Sequence, residues 1–221
     1  MKEIQLRQRT IDLDGKPFTY CFPWGDDTSF GTLAAVNEGV FRLGGIDFDV
    51  GDVFVDLGSN ICLLSCIVAK TRPNVQVYAF DVNPLACLCG RINAIKNGLT
   101  NIQVFNKGIG KINKKGVVFG SNGKEVTASV LSDYDPLHKD KIVADVISID
   151  EIFDSQLLGI DRVKYLKIDI EGGEFDVMNY VCDNRPDIIE RIDHLHLEIH
   201  GFPGREELDK KVREKFGLKL L

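Results

Sequence analysis

No stretch of the chain is apolar for long enough to cross a bilayer, and the opening Met1-Lys2-Glu3-Ile4-Gln5-Leu6-Arg7 lacks the apolar core of a secretory signal. Both absences predict a soluble, cytoplasmic protein with no membrane partner. Clustered cations are missing too: 27 Lys and Arg face 33 Asp and Glu, for a formal net charge of -6. A protein that coats nucleic acid is therefore disfavoured, because phosphate affinity comes mainly from grouped positive charge. The cysteines Cys21, Cys62, Cys66, Cys87, Cys89 and Cys182 contain no C-x-x-C pair, and most of them fall in apolar-periodic segments. They read as buried, reduced thiols and not as disulfides or zinc ligands. No coiled-coil seam fixes an oligomeric state, and no linker divides the chain. What is there is an ordinary globular composition, 44% hydrophobic and 27% charged over 221 residues, which excludes a disordered or collagenous chain and suffices for one sizeable core.

Two regions differ in character. Residues 1–50 read as a small β-rich cap, with Ile11 to Tyr20 making two short strands around an Asp-Gly turn. Residues 51–221 alternate apolar strands with helical stretches, the pattern of an α/β fold in which helices cover both faces of a mostly parallel sheet. The predicted strands are Val53–Leu57, Val75–Phe80, Ile102–Phe105, Ile142–Ile149, Val163–Ile168 and His194–His200. Leu63, Leu64, Ile67 and Val68 mark a first helix; Pro84 opens a second, with Leu85, Leu88, Ile92 and Ile95 as its apolar stripe and Asn97-Gly98 as its end. The Gly- and Lys-rich stretch from Lys107 to Lys124 predicts a hairpin on the sheet's edge, with Val126–Val130 as a return strand. A helix runs from Gly173 to about Cys182, and Leu208, Val212 and Phe216 define a last helix stopped by Gly217.

In an open α/β sheet the ligand lies outside the carboxyl ends of the strands, where the strand order reverses. Four such ends carry polar groups: Asp56-Leu57-Gly58-Ser59-Asn60, Asp81-Val82-Asn83-Pro84, Asp169-Ile170-Glu171-Gly172-Gly173-Glu174 and Glu198-Ile199-His200-Gly201. Gly58 supplies a turn residue without a Cβ, so a valine there is expected to block a ligand while leaving the fold largely intact. Asn60 and Leu63 occupy the positions where a dinucleotide fingerprint needs glycine, which argues against a pyrophosphate cradle. Asp81, 23 positions after Gly58, ends the second strand and is placed to accept both hydroxyls of a ribose. An adenosine ligand without a pyrophosphate fits both observations, and S-adenosylmethionine is the common cofactor of that description.

Three segments, Val53-Phe-Val-Asp-Leu-Gly-Ser-Asn-Ile61, Tyr78-Ala-Phe-Asp-Val-Asn-Pro84 and Leu166-Lys-Ile-Asp-Ile-Glu-Gly-Gly-Glu174, resemble the motifs of the FkbM family of S-adenosylmethionine-dependent methyltransferases. His196-Leu-Glu-Ile-His200 resembles that family's final strand. The resemblance implies a class I, Rossmann-like fold. It also implies that Asp56, Gly58, Ser59 and Asn60 serve the methionine end of the cofactor, Asp81 and Val82 the ribose, and Asn106 and Lys107 the adenine. Cys62 stands where the family usually has glycine, and Asp81 where it more often has Glu.

The resemblance further implies O-methylation of a small hydroxylated acceptor, a sugar or polyketide-like alcohol. An alcohol needs a base, and the candidates are Asp169, Glu171, Glu198 and His200. Alternation along a strand puts Glu198 and His200 on one face, beside Asp169 from a neighbouring strand. Glu174 reads as a solvated or capping residue. The same face carries His194 and His196 and would permit a metal, but these two lie too deep along the strand, so no metal is expected. A nicotinamide-dependent oxidoreductase would share the first turn yet lacks its glycines here. A nucleobase amino-methyltransferase would show an Asn/Asp-Pro-Pro-Tyr box, which Asp135-Pro136 is not. A non-catalytic protein that binds an adenosyl cofactor is the remaining alternative.

Overall fold

Asp14 and Gly15 both take positive φ, 53° and 80°, and close a two-residue turn between β1 (Leu6–Leu13) and β2 (Lys16–Pro23), which pair antiparallel. The computed structural model describes residues 5–23, 25, 28–121, 128–129, 140–200 and 205–216. Phe18, Tyr20 and Phe22 alternate along β2 and are buried, so the hairpin contributes one apolar face to the core. A helix, α1 (Thr28–Asn37), follows it. The cap is thus not β-rich throughout; the apolar residues of α1 are spread around its circumference, which hides the helical period.

β3 (Val53–Leu57) is buried at every position, as expected of a central parallel strand covered on both faces. After it come α2 (Leu63–Thr71), β4 (Gln76–Asp81), α3 (Pro84–Lys96) and β5 (Ile102–Asn106). Then β6 (Gly108–Gly110), β7 (Lys114–Ser121), β8 (Ala128–Ser129) and β9 (Asp140–Ser148) are followed by a short α4 (Ile149–Glu151) that continues as a π turn over Ile152–Gln156. The chain goes on through β10 (Val163–Ile168), α5 (Glu174–Asn184), α6 (Pro186–Glu190), β11 (Ile192–Leu197) and α7 (Arg205–Phe216). Five strands form one parallel sheet in the order β11-β10-β3-β4-β5. Val53, Val55 and Leu57 join the core beneath α5, α6 and α7, while Phe54 packs with Leu64 and Val68 of α2 on the opposite face.

Two details differ from the sequence expectation. The hairpin does not border the parallel sheet: β7 lies in a second sheet, ordered β6-β9-β7-β8, in which β9 separates β6 from β7. Of the proposed return strand, residues 128–129 pair with β7, and the rest of it, like Gly217, lies outside the described residues. β11 stops at Leu197, so Glu198 and His200 extend beyond the strand.

The buried face of α3 also departs from the predicted stripe. Leu88 and Ile95 are exposed, and Ala86, Cys89, Gly90, Asn93 and Ala94 face inward. Small residues let the helix approach α2 and the hairpin closely, and Asn93 then fastens the hairpin. Its Oδ1 accepts the Cys21 N–H at 2.5 Å, and its Nδ2 donates to the carbonyls of Cys21 (3.3 Å) and Ile61 (3.1 Å). Asn93→Ala strands these buried backbone groups and is expected to lower the unfolding free energy by about 2–4 kcal/mol in urea titration. Ile95→Ala, on the stripe the sequence favours, should stay within about 0.5 kcal/mol of the parent.

Candidate functional site

From β3 the chain steps through β4 and β5 to one side of the sheet, and then returns with β10 on the other side of β3. The order reverses between β3 and β10, so the crevice lies at their carboxyl ends. Gly58, at φ 83°, is the first residue of that crevice. A Cβ built on it would stand 1.6 Å from the carbonyl oxygen of Asp169. The glycine is therefore required first by the contact between two strand ends, a reason the sequence does not reveal. The N–H groups of Gly58 and Ser59 both donate to the Phe80 carbonyl at 2.9 Å, tying this turn to the end of β4.

Asp81 joins the same two turns through its side chain. Oδ2 accepts the Asn60 N–H and Oδ1 the Asn83 N–H, each at 2.7 Å. Burial pushes its carboxyl up to about 7, although both N–H groups favour the charged form. Asn60 and Cys62 hold left-handed conformations at φ 52° and 54°. The second explains why glycine suits position 62. Cys62 is accommodated by a gap opposite, since a Cβ on Gly90 would come within 2.4 Å of its Sγ.

One cavity of about 600 Å³ is lined by Gly58, Asn60, Asp81, Val82 and Lys107 of the expected cofactor set, and by Asp169 and Glu171 of the expected catalytic set. Other expected residues lie behind it. Asp56 is 1% exposed, with Oδ2 accepting from Ser65 Oγ at 2.5 Å and Oδ1 lying 3.4 Å from Lys167 Nζ. Ser59 is buried, and Asn106 turns its Nδ2 to the carbonyls of Asp81 (3.0 Å) and Val82 (2.9 Å), fixing the backbone that forms the wall.

Two residues matter more than their sequence reading allows. Lys167 is 5% exposed, and its Nζ donates to the Gly58 carbonyl (3.1 Å) and to Asp169 Oδ2 (3.0 Å). Burial works against its charge, but the carboxylates of Asp56 and Asp169 outweigh that and raise its pKa. A lysine inside the apolar run of β10 was the available signal, because a buried cation needs partners. Glu174, read as solvated or capping, is fully buried. Oε1 accepts the Ile170 N–H and Oε2 the Gly172 N–H, both at 2.9 Å, and Oε1 lies 3.0 Å from His200 Nδ1.

His200 thus sits among carboxylates. Nε2 is 3.5 Å from Glu198 and 3.9 Å from Glu171, and Nδ1 is 4.0 Å from Asp169. The Glu174 hydrogen bond, with Glu198 second, pushes the imidazole up to about 10. That is above the near-neutral value which its reading as a base assumes. Burial raises the Glu171 carboxyl above the usual range; His200 opposes this, while Asp169, Glu174 and Glu198 reinforce it. Asp169, Glu171 and His200 each offer an atom within 4.8 Å of the others, an arrangement a divalent cation can accept. His196 stays apart, buried against the Phe41 ring at 5.1 Å.

A family profile described as a methyltransferase FkbM domain matches residues 56–218. The chain belongs to the FkbM methyltransferase family. This FkbM chain is also 24% identical over 194 residues to the AMB antimetabolite synthetase AmbE of Pseudomonas aeruginosa, an alignment covering 73% of the chain and 9% of that protein. It therefore spans only a small part of the curated relative it matches. Its fold is similar to that of a SAM-dependent methyltransferase from Agrobacterium tumefaciens, with a TM-score of 0.54 and 12% identity over 96% of this chain and 60% of the other. A precorrin-6y C5,15-methyltransferase from Geobacter metallireducens gives a TM-score of 0.44 at 13% identity, over 80% of this chain and 69% of the other. The open parallel sheet with helices on both faces is the class I methyltransferase architecture.

Within the FkbM domain, Gly58 provides a direct test of the packing. Gly58→Ala forces the ends of β3 and β10 apart and should cost about 2–4 kcal/mol of unfolding free energy, so the fold is not spared as the sequence suggested. Gly116→Ala is the control: its φ is also positive, at 63°, but nothing lies within 4 Å of a Cβ there. Chemical unfolding should show the smaller loss for Gly116→Ala, about 1 kcal/mol.

Proposed function

We propose that this FkbM domain transfers a methyl group from S-adenosylmethionine to a hydroxyl of a small acceptor, a sugar or polyketide-like alcohol. The observation that carries the reading is the single cavity shared by Asp81 and Gly58 on one side and Asp169 and Glu171 on the other. The fit to an adenosyl cofactor rests on Asp81. Each of its carboxylate oxygens accepts one backbone N–H, so acceptor capacity remains for the two hydroxyls of a ribose. When bound, the cofactor supplies an electrophilic sulfonium methyl. Asp81 and Val82 would border the ribose, and Lys107, with Asn106 behind it, the adenine; Gly58 and Asn60 would border the methionine end, with Asp56 and Ser59 supporting that turn from beneath.

Asp169, held by Lys167, lines the cavity beside the reacting centre, and the acceptor hydroxyl donates its one hydrogen bond to Glu171. Glu171 takes the proton, because a carboxyl raised by burial is better matched to an alcohol than an ordinary one. Charged His200 holds Glu171 and Glu198 in place. We read residues 51–221 as the methyltransferase domain and the preceding residues as its cap. Among the described residues no helix is long and apolar enough to cross a membrane. All six cysteines are buried and none forms a disulfide, which supports a reducing setting.

Asp81 ties cofactor affinity to pH. A ribose hydroxyl donates to the ionised carboxylate, so affinity should rise as pH increases through about 7. Between pH 6 and pH 8 the ionised fraction grows from about one-tenth to nine-tenths, and calorimetric affinity for S-adenosylhomocysteine should strengthen by up to roughly tenfold. Asp81→Asn should bind weakly at both values and lose the pH dependence.

A screen of hydroxylated acceptors for S-adenosylhomocysteine release tests the chemistry. With an acceptor in hand, Glu171→Gln should lower turnover by about 10²–10⁴-fold while cofactor affinity changes little. Parental turnover in that variant would remove Glu171 as the base. Turnover should also survive a chelator; its loss would give Asp169, Glu171 and His200 to a metal instead.

A further inference from the structure

Methyl transfer needs two ligands within reach of each other, so a cavity for the cofactor must open into a second space. Such a space adjoins it. β6, the start of β7 and the first turn of α5 bound a groove of about 770 Å³ that shares Ile109, Phe119 and Gly173 with the cavity at Asp169 and Glu171. Its walls are largely aliphatic and aromatic, with Ile112 and Val117 continuing from Ile109 and Phe119. Ile112 is 59% exposed, a large apolar side chain facing solvent. Lys111 and Asp176, 3.2 Å apart, form an ion pair between the two sides of the groove, the turn after β6 and α5. The polar hollow beside Asp145 and Lys115 shares only Lys107 with the cavity and meets the groove at Lys114 and Val146.

We propose that the groove holds the hydrocarbon body of an amphipathic acceptor, whose hydroxyl end enters the cavity past Gly173 to reach Asp169 and Glu171. The acceptor class is then a hydroxylated molecule with an aliphatic portion, and not a free, wholly polar sugar. This inference rests on the methyltransferase reading above. Gly173 has no side chain to narrow the junction, and a Cβ on it would meet Ile170 Cδ1 at 2.9 Å. The apolar walls supply affinity without hydrogen bonds, each buried methylene strengthening binding about fourfold.

Two probes that need not be turned over decide the matter: methyl β-glucoside and octyl β-glucoside, the latter kept below its micelle concentration. Each is titrated into protein saturated with S-adenosylhomocysteine. Octyl glucoside should bind at least tenfold more tightly than methyl glucoside. Ile112→Asp should remove most of that advantage, and Ile112→Leu should keep it, with affinity for S-adenosylhomocysteine unchanged in both. Position 112 is exposed, so neither substitution endangers the fold. Equal binding of the two glucosides, or an advantage that survives Ile112→Asp, overturns the groove as the acceptor site. Failure of S-adenosylhomocysteine to bind the parent protein overturns the cofactor reading, and the groove's role falls with it.

Discussion

A single buried ammonium joins the two strand ends on which the site is built. Lys167 Nζ reaches the Gly58 carbonyl after β3, Asp169 after β10 and Asp56 within β3. Asp56 and Lys167 are direct lateral partners in the sheet, so the pairing follows from strand register. Asp56 Oδ1 makes no hydrogen bond and depends on that charge. Removing one member of a buried ion pair costs about 3–5 kcal/mol, because the other is left uncompensated in a poor solvent for charge. With Gly58 pressed against the Asp169 carbonyl, the ammonium sets the crevice to a fixed width.

A second buried charge organises the β10 side of the crevice. Glu174 takes up the N–H groups of Ile170 and Gly172 and thereby holds the loop in which Glu171 adopts φ 54°. Its remaining contact fixes His200, whose other nitrogen faces Glu171 and Glu198. The loop after β10 and the segment after β11 are locked together through one carboxylate. Protonation is shared unequally as a result: the imidazole keeps its proton, and Glu171 is the group whose affinity for a proton is raised.

The sheet was legible because its strands carry near-continuous apolar runs and its turns carry Gly58, Asn83-Pro84 and Asn97-Gly98, signals that act locally. Strand ends fell within a few residues of their predicted places, and with them Asp81, Asp169 and Glu171. What stayed hidden depends on distant partners. The inward face of α3 is made of small residues chosen by close packing, so Leu88 and Ile95 gave the wrong stripe. The second sheet forms by inserting β9 between β6 and β7, a pairing across about 30 residues that no local pattern announces. Lys167 and Glu174 sit inside a quoted motif, yet their roles arise from burial and from atoms on other strands.

If the β3–β10 crevice holds an adenosyl cofactor with its reactive end toward Asp169 and Glu171, a crystal structure of the protein with S-adenosylhomocysteine will show the ribose hydroxyls on the Asp81 carboxylate and the sulfur facing Asp169 and Glu171. Ligand density elsewhere, or a ribose with no contact to Asp81, would contradict it.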